Sequence, residues 1–178
     1  MTLRIDPEAR TVASVLNGMA LVCIRDGSNA QMSEAEQLLK QAIAAASPWK
    51  SETWEIGRAH ALLAYLHNLR GKGDLAEPAA LLALELYSQV KRADHTNKAL
   101  TTYNIAWAIL SQGKGLDAAE PYFQKSIAMY ERMQQAYTDK AFPLNHYGYA
   151  LTAKRPTDAL VPLKEALEIR RRLLPKNA

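Results

Sequence analysis

The chain has 178 residues, enough for one domain with a sizeable core, since a chain of this length buries roughly 70% of its unfolded surface. Hydrophobic residues make up 48%, charged residues 22%, and Gly and Pro eight each, which favours an all-α fold over turn-rich sheet architecture. The formal net charge of +4 suits a nucleic-acid partner only where basic residues cluster, and the dense cluster is Arg170, Arg171, Arg172 and Lys176. These cations either complement the dipole of a last helix or form a patch for an anionic partner.

The cysteine content and the apolar runs of the sequence indicate the cellular compartment. A single cysteine, Cys23, cannot form an internal disulfide, and we expect it to pack as a small apolar residue in a reducing environment. Residues 1–10 contain acids and a proline where a signal peptide needs an apolar run, and no uninterrupted apolar run approaches the roughly 18 residues of a membrane span. The sequence therefore predicts a cytoplasmic protein with no membrane partner.

Apolar periodicity and helix-breaking residues predict eight helices. They are expected at 7–25, 33–47, 52–70, 74–92, 96–112, 116–136, 139–153 and 157–174. The segment Ser33-Glu34-Ala35-Glu36 is typical of a capping box, which would begin the second helix at Ser33. Asp26-Gly27-Ser28-Asn29 would then belong to an unusually long first turn.

Pairs of helices repeat with a period near 42 residues. The Gly-Lys-Gly segments at 71–73 and 113–115 lie 42 apart, and the Ala-Glu-Pro triplets at 76–78 and 119–121 lie 43 apart. Each second helix carries two small residues seven apart, which places both on one face. These pairs are Ala35 and Ala42, Ala76 and Ala83, Ala119 and Ser126, and Ala159 and Ala166. A small residue in each first helix would let the paired helices approach closely, namely Gly18, Ala64, Ala106 and Gly148.

These features resemble the tetratricopeptide repeat, whose first helix carries a small residue and whose second helix carries two alanine-like positions seven apart. The period near 42, with Asp94-His95, Asn104-Ile105-Ala106 and the segment 166–170, resembles the repeats of kinesin light chains. The resemblance covers nearly the whole chain and implies one domain, 1–178, folded as a right-handed α-solenoid of four helix-turn-helix repeats. The repeats would span about 7–47, 52–92, 96–136 and 139–174.

The resemblance also implies that the first helices line a concave groove, toward which the residue after each small position points. That residue is Tyr65, Trp107 or Tyr149, at intervals of 42, and Met19 in the first repeat. The rings either line a partner-binding groove or pack between helices, and we favour the groove because Tyr and Trp offer large apolar area at low entropy cost. The other candidate groove residues are Arg58, Asn68, Tyr103, Asn104, Asn145 and His146.

The predicted function is a non-enzymatic adaptor that binds a peptide or partner segment in this groove. The alternative is a ligand-sensing or self-assembling domain whose groove takes a small apolar effector or a neighbouring subunit's helix. In that case the apolar face of the last helix would either cap the stack or form a homodimer. This face comprises Leu160, Leu163, Leu167, Leu173 and Leu174.

The sequence predicts no catalytic residue, metal site or cofactor. His60 and His67 lie seven apart on one helix, too far to share a tetrahedral ion, and Cys23 would need a base from another helix. His146 is the best single acid–base candidate, but we favour a groove role for it. The Gly-Lys-Gly segments lack the strand that precedes a phosphate loop. A nucleic-acid partner is not predicted, because the groove positions hold aromatic and amide side chains rather than cations.

Overall fold

The computed structural model describes residues 7–48, 53–90, 95–133 and 138–173. These residues form eight α-helices, and every regular element among them is helical, so the predicted all-α class is confirmed. The helices are α1 (Pro7–Asp26), α2 (Asn29–Ala46), α3 (Thr53–Leu69), α4 (Gly73–Ser88), α5 (Thr96–Ser111), α6 (Leu116–Arg132), α7 (Ala141–Thr152) and α8 (Pro156–Leu173).

The chain divides into two compact units. Unit 1 is Met1–Arg92 and contains α1 to α4, and unit 2 is Ala93–Ala178 and contains α5 to α8. Within them α1 packs on α2, α3 on α4, α5 on α6 and α7 on α8, which are the predicted helix pairs. The single domain and the outer limits of the four repeats stay predictions.

The paired small residues of the second helices are buried in all four repeats. None of the eight residues is more than 4% exposed. In α6 the small residue Ser126 donates its hydroxyl proton to the backbone oxygen of Ala99 at 2.7 Å, which joins α6 to α5. The predicted spacing of seven residues therefore marks the contact face of each second helix.

The small residues of the first helices are confirmed in three repeats. Ala64 and Ala106 are wholly buried. Gly148 lies against α8, where an added Cβ would come within 2.5 Å of Leu163 Cγ. The prediction for Gly18 is wrong, because no atom of another helix lies within 4 Å of the place where its Cβ would be.

In α1 the buried small position belongs instead to Ala20, which is 0% exposed. Glycines with φ near +70° end the first helices of three repeats: Gly27, Gly71 and Gly113 have φ of 78°, 69° and 70°. Ala20 lies seven residues before the first of them, as Ala64 and Ala106 lie before the others. The residue after the small position in the first repeat is therefore Leu21 and not Met19.

The predicted start of α2 is also wrong. Asp26 Oδ1 accepts a hydrogen bond from the Ser28 amide at 3.2 Å, and the Ser28 hydroxyl accepts one from the Gln31 amide at 3.4 Å. This closes a tight turn and caps α2 at Ser28. Ser33 lies inside the helix and donates its hydroxyl to Asn29 O, so it is no cap.

The other helix ends agree with prediction to within about four residues. α4 ends at Ser88 and α6 at Arg132, earlier than predicted. Residues 91–94 and 134–137, and with them Asp94, lie outside the described residues. Leu174 and Lys176 also lie outside them.

The core of unit 1 joins three helices. Buried residues of α1, α2 and α3 form one apolar cluster, called here the unit 1 core. Cys23 is half-buried against it, as predicted for a small apolar residue. From α3 the cluster takes Ala59, Leu63 and Leu66, whereas Gly57 of α3 lies against Tyr87 of α4. Helix α3 thus packs with one face on the preceding repeat and with another on its own partner helix.

Candidate functional site

Three predicted site residues of α5 and α7 contact one another in unit 2. The Tyr103 hydroxyl and His146 Nδ1 share a hydrogen bond of 2.8 Å. The His146 ring stands edge-on to Trp107, with 4.8 Å between the ring centroids, and Tyr103 lies 5.9 Å from Trp107. Aromatic pairs favour such edge-on and tilted arrangements. The first helices of two successive repeats are thus joined through these side chains.

Burial favours the neutral form of the His146 ring. Burial lowers the pKa of His146 below its ordinary value of 6.5, because the imidazolium form would lose hydration. A neutral ring has one donor and one acceptor nitrogen, so the tautomer decides whether the Tyr103 hydroxyl donates to Nδ1 or accepts from it. With Tyr103 and Trp107 against it, the ring is held in a fixed position.

The exposed part of the site lies on α7. Tyr149 is 66% exposed, and Asn145, one helical turn earlier on the same side, is half-buried. Trp107 and His146 are also half-buried. We call these four residues the α5–α7 surface. It offers two aromatic rings, an imidazole and an amide within one unit.

In unit 1 Arg58 lies beside a buried carboxylate that the sequence reasoning missed. Its guanidinium is 3.9 Å from the Glu55 carboxylate, and the Glu55 side chain is 8% exposed. Asn17 Nδ2 donates to the same carboxylate at 3.1 Å and to the Glu55 backbone oxygen at 3.0 Å. Asn17 and Glu55 are 38 residues apart, and no pattern in the sequence pairs them.

The other predicted residues present little surface. Tyr65 is half-buried and packs against the unit 1 core. Asn68 is 3% exposed, and Tyr103 and Asn104 are each 1% exposed. Tyr103 therefore supports the α5–α7 surface from beneath, through its hydrogen bond to His146 and its ring contacts with His146 and Trp107. The side chains of Asn68 and Asn104 are buried.

Acidic residues of the second helices join successive repeats, which the sequence reasoning also missed. Glu36 of α2 accepts a hydrogen bond from Arg70, just after α3, at 2.7 Å. Glu120 of α6 accepts one from Arg155, just before α8, at 2.5 Å, and another from the Tyr147 hydroxyl. Both glutamates directly follow the first small residue of their helix. The recurrence of Glu at this repeat position is the sequence feature that would have revealed them.

The two histidines of α3 are partly buried, as His146 is. Burial lowers the pKa of both His60 and His67. Among the residues that the structure describes, no three His, Cys, Asp or Glu side chains are grouped as metal ligands would be. Within the same residues, no helix has the length and apolar character to cross a membrane.

Comparison with known proteins bears on the family and the fold. The sequence profile of the tetratricopeptide repeat matches residues 55–132. No curated protein gives a significant match. Among solved structures 26 chains match. They include the crystal structure of BtubC (BKLC) from P. vanneervenii, with a TM-score of 0.68 and 19% identity over 97% of this chain and 77% of BtubC. At this identity the likeness concerns the fold.

The paired helices and the structural likeness define an all-α helical-repeat protein. Residues 55–132 match the tetratricopeptide-repeat profile, which confirms the predicted repeat type over these residues, and the predicted all-α repeat fold is confirmed as well. Repeats of this family generally mediate contacts between proteins and are generally non-catalytic.

Proposed function

We propose that this chain is a non-enzymatic interaction module that binds an extended or helical segment of a partner protein on the α5–α7 surface. The observation that carries the proposal is the 66% exposure of Tyr149. This ring lies about one helical turn from His146, which Trp107 already holds in place. A large exposed aromatic beside two fixed rings is an arrangement that a bound segment would cover.

The physical case rests on preorganisation. Trp and Tyr dominate the binding energy of interfaces because they bury much apolar area while losing few rotatable bonds. Rings that are fixed before binding need no ordering when the partner arrives, which lowers the entropic cost of association. Asn145 adds an amide that can both donate to and accept from a peptide backbone.

The remaining predicted residues differ in how directly they could contact a partner. Tyr103 acts from beneath by holding His146, and the burial of Asn68 and Asn104 leaves no role in direct contact. In unit 1 Arg58 and Tyr65 are half-buried and engaged with Glu55 and the unit 1 core respectively. We expect their replacement to weaken binding less than replacement of Tyr149.

Photo-crosslinking tests the proposal and captures the partner in the same experiment. A benzophenone amino acid in place of Tyr149, in cells that make the full protein, should crosslink a specific partner. The control is the same amino acid in place of Val161, which is 71% exposed on α8. The partner should not crosslink there. Equal crosslinking from both positions would count against the α5–α7 surface.

Substitution then measures the contribution of each ring. Tyr149→Ala should weaken binding of the captured partner by about 30-fold, the scale of an interface hot spot of roughly 2 kcal/mol. Val161→Ala should leave it unchanged. Trp107→Phe should preserve the packing on His146 better than Trp107→Ala, and circular dichroism reports whether either variant unfolds. Undiminished binding by a folded Tyr149→Ala variant would refute the proposal.

A further inference from the structure

Helix α1 exposes a row of four apolar side chains. Val12, Val15, Met19 and Val22 are 48%, 54%, 49% and 69% exposed. Their spacing of three, four and three residues places them on one face of the helix. We call them the α1 outer face. A continuous apolar row at this spacing is the form of a helix-packing surface rather than of scattered surface residues.

The corresponding residues of α3 are covered. The turn glycines Gly27 and Gly71 lie 44 residues apart, and the same shift relates the α1 outer face to α3. The matching residues are Ile56, Ala59, Leu63 and Leu66. The last three are 0%, 9% and 0% exposed within the unit 1 core, and Ile56 packs against it. In α3 this face meets the preceding repeat, so the α1 outer face is shaped to receive the second helix of another repeat.

Helix α8 has the reciprocal surface. Leu167, one residue after the second small position, is 48% exposed. The same repeat position in α2 holds Ile43, which packs against the unit 1 core, and in α6 it holds Ile127. Ile127 packs against buried residues of α7 and α8. At this position α8 therefore presents an exposed leucine, where the isoleucines of α2 and α6 pack against buried clusters.

A second position of α8 is apolar where the other second helices are acidic. Leu160 of α8, 52% exposed, occupies the position that holds Glu36, Glu77 and Glu120 in the other second helices. Glu120 accepts a hydrogen bond from Tyr147, and the residue of α1 at the position of Tyr147 is Met19. At the two outer faces these positions hold Leu160 and Met19. The position of Met19 is also apolar in α3 and α5, where it holds Leu63 and Ile105, so the distinctive change on the outer faces is the loss of the glutamate.

Each end of α1 also carries one charge that complements the end of α8 it would meet. Successive helices with short connections run antiparallel, so an α8 that precedes α1 would place its first turn beside the last turn of α1. The first turn of α8 carries Asp158, and the last turn of α1 carries Arg25 beside Asp26, whose carboxylate accepts a hydrogen bond from the Ser28 amide. At the opposite end, Arg170, Arg171 and Arg172 of α8 would lie near Glu8 and Arg10 of α1.

From these matches we propose that copies of this chain associate head to tail, with α8 of one copy packed on the α1 outer face of the next. The contact joins two different faces, so each copy can bind one further copy at each face, and assemblies larger than the monomer, either chains or rings, form as concentration rises. It uses residues outside the α5–α7 surface and does not rest on the proposed function.

Sedimentation velocity over a wide concentration range tests the association. The weight-average mass of the wild type should rise with concentration. Val22→Glu on α1 and Leu167→Glu on α8 should each weaken association at least tenfold, because each would bury an unpaired carboxylate. Leu160→Glu should act likewise, and it introduces the residue that three other second helices carry. Val161→Glu is the control, because its repeat position is exposed in all four second helices.

Mixing two variants tests the head-to-tail geometry. Val22→Glu keeps a functional α8 and Leu167→Glu keeps a functional α1, so an equimolar mixture should form a one-to-one dimer and nothing larger. Circular dichroism must show both variants as helical as the wild type. A wild type that stays monomeric at every concentration would overturn the proposal. So would a symmetric contact between α1 helices, in which Leu167→Glu associates normally and the mixture gives no such dimer.

Discussion

Replacing Gly148 by Ala tests the close approach of α7 and α8. The new Cβ would lie 2.5 Å from Leu163 Cγ and 2.7 Å from Leu163 Cδ2, far inside the roughly 3.5 Å at which carbon atoms attract. Overpacking of this kind costs about 1–3 kcal/mol, whereas Gly to Ala inside a helix gains roughly 1 kcal/mol. The clash prevails, and we expect a net loss of ~1 kcal/mol. In a protein of this size the Tm would fall by about 2–4 °C.

The same substitution at Gly18 is the matched control. No atom of another helix lies within 4 Å of its would-be Cβ, so Gly18→Ala should stabilise the protein by roughly 0.5–1 kcal/mol. Urea titrations and thermal melts followed by circular dichroism measure both changes. Adding Leu163→Ala to Gly148→Ala should relieve the clash and reveal a coupling energy between the two sites. A Gly148→Ala variant as stable as the wild type would refute the close approach, and a destabilised Gly18→Ala would refute the register of α1.

Three further predictions concern charge and pH. Hydrogen bonds from Lys40 and Arg70 lower the pKa of Glu36 to about 2 from 4.5, so its stabilising effect is complete above pH 4.5 and disappears as the pH falls toward 2. Glu36→Gln should lower the free energy of unfolding by ~1 kcal/mol near neutral pH and reduce this acid sensitivity, as urea titrations at several pH values would show. Burial lowers the pKa of His60, His67 and His146 below 6.5. The unfolded state therefore binds more protons than the folded state, and the Tm should fall as the pH drops below 6.5. A Tm independent of pH in this range would contradict this prediction. The side chain of Lys140 is 6% exposed and donates to carboxylates of α6 and α8 at 2.9 and 2.7 Å. Lys140→Met should therefore lower the free energy of unfolding by about 1–2 kcal/mol, as measured by urea titration. An unchanged free energy of unfolding would show that desolvation of the lysine cancels the two ion pairs.

The repeat register follows from the sequence where small residues and turn glycines mark the same position. Ala64 and Ala106 each lie seven residues before a glycine of positive φ, and periodicity alone identifies them. In α1 either of two small residues, Gly18 or Ala20, could occupy this position. Ala20 is the correct one, because it lies seven residues before Gly27. The start of α2 is harder to predict, because Ser28 and Ser33 are both acceptable caps and only the folded turn shows which hydroxyl meets a free amide.

The candidate site follows from the sequence only in part. Tyr65, Trp107 and Tyr149 share one repeat position, yet the first packs on a core, the second on His146, and the third is 66% exposed. Periodicity gives the place of a residue along its helix, but exposure depends on the side chain that the neighbouring helix sets against it. The hydrogen bond between Tyr103 and His146 joins residues 43 apart at different repeat positions, so the repeat pattern does not predict it.

The two proposed surfaces lie on different helices, so single substitutions can separate them. If copies associate head to tail, each copy in an assembly presents its own α5–α7 surface, and a partner with several binding segments gains from a raised effective concentration. Val22→Glu should then leave the affinity for a single partner segment unchanged while it lowers the affinity for a tandem of segments toward the single-segment value. Tyr149→Ala should weaken both and leave self-association intact. Isothermal titration with single and tandem segments distinguishes these outcomes. Loss of single-segment binding by a folded Val22→Glu variant would show that the two surfaces are not independent.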